Sequence, residues 1–185
     1  MQYMKCRFYL SLLFFCLYSL QCKAGTEIWL LIDTKEHHLA VMEGERVKLT
    51  FENIATGRYG ASKTRMKGDN QTPIGTFRIA WISQKHQYYK FFGLDFPAQE
   101  MADIALREEK ISEETWLEIT RALNSRKLPP QDTALGGYIG IHGIGRGNKS
   151  IHNEFNWTNG CIALTNAQID VLSAWVYIGM KVTIQ

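Results

Sequence analysis

The chain reads as a mainly β domain with short helices. Short apolar runs alternate with polar residues, turn residues punctuate them at close intervals, and only two segments carry a helical period. No internal repeat, heptad or low-complexity tract interrupts that pattern.

Glu27 to Asp33 predicts the first strand, with Ile28, Leu30 and Ile32 on one face. Leu39 and Val41, then the Gly44 turn, predict a hairpin returning through Val47 to Ile54. Thr56 to Thr72 is a polar loop that carries Gly57, Gly60, Gly68, Asp69 and Asn70 among Arg58, Lys63, Arg65 and Lys67. Pro73 to Trp81 resumes as a strand through Ile74, Phe77 and Ile79. Residues 83–98, with His86, Tyr88, Tyr89, Phe91, Phe92 and Phe96, are aromatic and irregular, and read mostly as core and loop packing, with a groove lining as the alternative. Ser112 caps a helix with Glu113 and Glu114 in its first turn and Trp116, Ile119 and Leu123 on one face. Pro129 and Pro130 close that unit. Gly136 to His142 predicts a strand that ends on the histidine, and Ile162 to Leu164 a short buried one. Thr165 and Gln168 have the spacing of a capping box for a helix running to about Tyr177 and stopped by Gly179. Val182 and Ile184 finish with a terminal strand.

Residues 1–24 have the composition of a secretory signal peptide, which leaves 25–185 as the working domain. Lys5 and Arg7 precede an apolar run from Phe8 to Leu20, and small residues at Cys22 and Ala24 precede a cut after Ala24. The run is shorter than the roughly 17 residues a membrane span requires. Removing this segment takes away Lys5, Arg7 and Lys23 and no carboxylate, leaving 18 basic against 18 acidic residues. Near-neutral charge gives no footprint for nucleic acid. The remaining length supports one domain with its own core.

Cys6, Cys16 and Cys22 leave with the signal, so Cys161 is the sole cysteine of the mature chain. A thiol without a partner in an exported protein is a candidate nucleophile. Gly160 precedes it, and Gly143, Gly145 and Gly147 follow His142. Small neighbours admit a substrate to both side chains. A thiol attacks as thiolate, and an imidazole within about 3 Å can take its proton. The backbone N–H groups of Asn159, Gly160 and Cys161 are candidate oxyanion donors. No Asp or Glu adjoins His142, which leaves a backbone carbonyl to orient it. His152 is a competing base, whereas His37 and His38 fall at a hairpin and read as turn residues. Zinc held by His142, His152 and Cys161 is disfavoured by the spacing. The run from Gly143 to Ser150 fails the phosphate-loop pattern, because Asn148 stands where that pattern needs glycine. Asn148-Lys149-Ser150 and Asn156-Trp157-Thr158 also match glycosylation triplets.

His142, fifteen intervening residues, and Thr158-Asn159-Gly160-Cys161 resemble the motif of the L,D-transpeptidase (YkuD-type) catalytic domain. That motif has a histidine, about 14–17 residues, then Ser/Thr-His-Gly-Cys. Thr72-Pro73-Ile74-Gly75 is similar to the family's Thr-Pro-x-Gly segment, and the resemblance extends from about Glu27 to Ile184. Two departures stand out. Asn159 replaces a histidine, and Ala163 sits where many members carry arginine. The resemblance implies a YkuD-like β-sandwich, no cofactor and no metal. It implies His142 as base, Cys161 as nucleophile, and peptidoglycan tetrapeptide stems cross-linked through a thioester. Gly143, Arg146, Thr158, Arg58 and Lys63 are the candidate substrate-binding residues. Alternative outcomes are hydrolysis as an L,D-carboxypeptidase or endopeptidase, release of a wall-linked lipoprotein, or wall binding without catalysis. A periplasmic or wall-associated monomer is expected.

Overall fold

The computed structural model describes residues 26–185, and the signal segment expected over 1–24 lies outside the described residues. Three strands open the chain, β1 (Ile28–Asp33), β2 (His38–Glu43) and β3 (Arg46–Glu52). Two short ones, β4 (Ala61–Ser62) and β5 (Thr72–Pro73), pair with each other at the ends of the polar loop. Next come β6 (Gly75–His86), β7 (Tyr89–Leu94), α1 (Gln99–Arg107) and α2 (Glu113–Asn124). The last third holds β8 (Gly140–Gly143), α3 (Lys149–Glu154), β9 (Ile162–Leu164), α4 (Asn166–Ser173) and β10 (Lys181–Ile184).

Eight strands form one sheet in the order β3-β2-β1-β10-β6-β7-β8-β9. Its parallel pairs are β1 with β10 and β8 with β9. The long strand β6 joins the two halves. Gly75 to Arg78 pair with β10, while Ile79 to His86 pair with β7. The ends of the strand order also meet, because Ala55 and Ala163 exchange N–H···O bonds of 3.0 and 2.8 Å. Leu30, Ile32, Phe77, Phe92, Ile141, Ile162 and Val182, drawn from both halves, share one buried core. The mainly β expectation therefore holds, with short helices around the sheet.

Local signals placed two helices correctly. Ser112 Oγ accepts from the Thr115 N–H at 3.2 Å, and Thr165 and Gln168 form both bonds of the capping box. These contacts satisfy N–H groups that a helix start leaves without partners. Five details differ from expectation. Residues 83–98 are more regular than their composition suggests, since β6 extends to His86 and β7 follows at Tyr89. α1 begins without a side-chain cap, so its start carries no sequence signal. α3 is six residues long, too short to show a period, although the Asn148 side chain caps it. β8 starts at Gly140 and α4 ends at Ser173. Gly136 and Tyr138 have left-handed backbones that no strand accepts, and i→i−3 bonds from Ala174 and Trp175 tighten the last turn of α4.

Close approach in the β6–β7 pair depends on Gly93. A Cβ there would overlap the Trp81 indole, which lies across the glycine and stacks on Phe91 with centroids 5.8 Å apart. Gly93→Ala is expected to destabilise the fold by about 1–3 kcal/mol, read as a lower denaturant midpoint at unchanged slope.

Candidate functional site

The parallel register of β8 and β9 sets His142 beside Ala163, two residues past Cys161. Both side chains line a cleft of about 490 Å³. Its walls come from the polar loop (Arg58, Asn70), the β6–β7 turn (Tyr88), the approach to β8 (Tyr138) and the turn before β9 (Trp157, Asn159). Segments far apart in the chain thus converge on the thiol.

His142 is buried, 2% exposed. Its Nδ1 lies 2.7 Å from the Gly143 carbonyl. A carbonyl only accepts, so this contact puts the ring proton on Nδ1 and leaves Nε2 as the free base. Tyr88 stacks on the imidazole at 4.5 Å, Phe91 at 6.0 Å, and Trp157 meets it edge-on at 5.9 Å. Burial in this aromatic setting pushes His142 down to about 4, against the contrary pull of the Gly143 bond. The imidazole is therefore neutral at physiological pH.

Cys161 is half-buried, and its thiol faces the Tyr138 carbonyl at 3.6 Å. Desolvation of the sulfur pushes the thiol up to about 11, while a Gly140 backbone hydrogen bond and the Arg65 charge favour the thiolate. No hydrogen bond joins the sulfur to His142 among the described residues. These directions favour a neutral thiol beside a neutral imidazole in the resting cleft.

The turn before β9 is built by its own side chains. Thr158 Oγ1 donates to the Cys161 carbonyl at 2.7 Å and accepts the Gly160 N–H at 3.1 Å. Gly160, one of the three expected oxyanion donors, thus places its N–H within the turn in this structure. Among the described residues the Asn159 and Cys161 N–H groups donate to no protein acceptor. Arg58 Nη2 donates to Asn159 Oδ1 at 2.7 Å and to the Trp157 carbonyl at 3.3 Å. The asparagine that stands in place of the motif's histidine is thereby anchored to the polar loop.

Of the five expected substrate contacts, Arg58 and Thr158 line the cleft, although the Thr158 hydroxyl is already committed to the turn. Gly143 does not line it. Packed against Asn166 and Tyr88, it holds the imidazole through its carbonyl. Arg146 lines a neighbouring pocket of about 360 Å³ with Ile144, Ile151, Tyr88 and Trp157. Lys63 lines neither, since the polar loop turns it outward past β4. His152 sits in a separate cavity of about 130 Å³, where its Nδ1 accepts from Trp157 Nε1 at 3.3 Å, and it does not line the cleft with Cys161. Among the described residues no three His, Cys, Asp or Glu side chains gather to hold a metal ion.

Sequence reasoning missed Tyr138 and Arg65, and reached Tyr88 only as one of several aromatics that could line a groove. Tyr88 lay within an aromatic stretch with no marker of its role, and Tyr138 contributes a backbone carbonyl that no residue type advertises. Arg65, 5% exposed, was one cation among four in a loop.

The profile of the YkuD family, the L,D-transpeptidase catalytic domain, matches residues 27–184. No curated protein matches. Among solved structures, the helical cell shape determining protein Pgp2 from Campylobacter jejuni is similar, at TM-score 0.58 and 18% identity over 88% of this chain and 48% of that one. An L,D-transpeptidase mutant from Enterococcus faecium gives TM-score 0.50 and 12% identity over 86% of this chain and 50% of that one. The chain thus spans about half the length of each, and at these identities the likeness is one of fold.

Proposed function

Because the chain belongs to the L,D-transpeptidase catalytic domain family, we propose that it transfers acyl groups between peptidoglycan stems through Cys161. One observation carries the proposal. The only cysteine among the described residues shares a cleft with an imidazole whose proton is fixed on Nδ1 by the Gly143 carbonyl.

On this reading the tetrapeptide stem enters with the carbonyl between its diamino acid and terminal D-alanine over the sulfur. Cys161 attacks that carbon while His142 Nε2 takes the thiol proton. Charge developing on the carbonyl oxygen meets the free N–H groups of Asn159 and Cys161. Collapse breaks the amide bond, and His142 returns its proton to the departing D-alanine amine. A thioester remains. The amine of a second stem then attacks it, gives a proton to His142, and restores the thiol as the cross-link forms. Residues 1–24 direct export and 25–185 act in the periplasm or at the wall. Among the described residues no helix is long and apolar enough to cross a membrane.

Purified protein incubated with tetrapeptide sacculi provides the test, with products identified by mass. Stems newly joined through two diamino acids are the expected result. Tripeptides released without new cross-links would replace transfer by hydrolysis, and unaltered stems would overturn both.

A further inference from the structure

Arg65 is the charged side chain buried closest behind the Cys161 turn. Its Nε donates to the Gln71 carbonyl at 2.8 Å, Nη1 to Leu135 at 3.0 Å and Nη2 to Asn159 at 3.3 Å. Three separate segments of the cleft wall therefore hang on one guanidinium. Phe96 covers it from below, with the guanidinium carbon 5.2 Å from the ring centroid. Gly160 packs directly on it. A Cβ built on that glycine would sit 3.2 Å from Nε and 2.6 Å from the Gln71 carbonyl. Asp69, at 3.7 Å, is its only ion-pair partner among the described residues.

A cation is expensive to bury, and three backbone carbonyls with one distant carboxylate do not neutralise it. An arginine cannot shed its proton to escape this cost. The charge is thus held permanently on the wall that also carries the sulfur. Both side chains line the same cleft.

We propose that Arg65 is a positioning residue for the nucleophile: it fixes the Asn159–Cys161 turn through the Asn159 carbonyl and holds a buried positive charge in the cleft that carries the sulfur. The direction of its influence on the thiol agrees, since the Arg65 charge opposes the effect of burial. The other titratable groups around the sulfur are His142, Tyr88 and Arg58 across the cleft, Tyr138 on its rim and Asp69 behind Arg65. Of these, Asp69 works through Arg65 by partly cancelling its charge. This inference rests on Cys161 being the nucleophile of the proposed function, but alkylation of the thiol tests it without any wall substrate.

The experiment measures the rate of iodoacetamide alkylation of Cys161 against pH in wild type, Arg65→Gln, Arg65→Lys and Asp69→Asn, with circular dichroism to confirm folding. Removing the charge in Arg65→Gln is expected to raise the pH needed for a given rate by about half to one unit, the weaker nucleophilicity of a lower-pKa thiolate offsetting part of the change. Arg65→Lys keeps a charge and is expected to lie close to wild type. Asp69→Asn frees the Arg65 charge and is expected to move the profile the opposite way. A merely structural arginine would give no opposed shifts. If Arg65→Gln does not fold, Asp69→Asn carries the test with Arg65 in place. Superimposed profiles for wild type and Asp69→Asn, or equal displacement of the Lys and Gln variants, would overturn the inference. A protein inactive on sacculi that still shows the opposed shifts would sink the proposed function and leave this inference standing.

Discussion

Cys161→Ala is expected to abolish covalent capture of the stem and to lower turnover on it by about 10⁴–10⁶. The size of the effect follows from the surroundings. Among the described residues no other cysteine exists, and His152, the other buried histidine near the cleft wall, opens into a different cavity. Nothing nearby can take over as nucleophile. Intact mass spectrometry after mixing wild type with tetrapeptide stems is expected to show an adduct of the stem less D-alanine, and Cys161→Ala none. The fold should hardly notice the change, because the thiol's hydrogen bond to Tyr138 is long and the residue is half-buried. A stability loss of about 1 kcal/mol or less is expected in thermal unfolding. An adduct surviving in the alanine variant would place the chemistry elsewhere.

Such contrasts separate what the sequence could and could not show. Strands, turns and caps were legible because their causes are local. Alternation in β1, the Gly44 turn and the Thr165–Gln168 box each act within a few residues. The candidate nucleophile was legible for a related reason, since a lone thiol beside a glycine is marked by residue type. Partners that join across the fold were not. Thr158 takes up the Gly160 N–H through a hydroxyl whose direction no spacing predicts. Gly143 looked like room for substrate, yet it acts through its carbonyl on the adjacent ring. Arg65 looked like a solvated loop charge, until Leu135 and Asn159, 70 and 94 residues away, closed over it. The meeting of Ala55 with Ala163, which closes the strand order beside the cleft, is likewise a long-range event. Backbone carbonyls and distant closures carry no residue-type signature, and the Cys161 cleft is made largely of both.

His142→Gln should lower kcat/KM on the stem by about 10²–10⁴, the usual contribution of a positioned general base. The pH profile distinguishes this role from a structural one. With His142 near 4 and the thiol near 11, the neutral pair persists over the range between. Wild-type kcat/KM is therefore expected to form a plateau, falling only as acid protonates Nε2 near the lower value. A break near the ordinary imidazole pKa of about 6.5 would contradict the burial that holds His142 down. The glutamine variant lacks the base, so its residual rate should climb with pH as free thiolate accumulates toward the higher value. Stability obeys the same displacement. Between about 6.5 and 4 the unfolded chain binds a proton at His142 that the folded chain refuses, so acidification across that window weakens the fold. A shift of this size corresponds to about 3 kcal/mol, fully present above the unfolded pKa and lost by the time the folded one is reached. Thermal melts from pH 7 to 4 should show the loss in wild type and a shallower one in His142→Gln, where buried His152, also held down by desolvation, supplies the remainder. Equal slopes in the two proteins would mean that His142 titrates normally, and its assignment as the neutral base would fail.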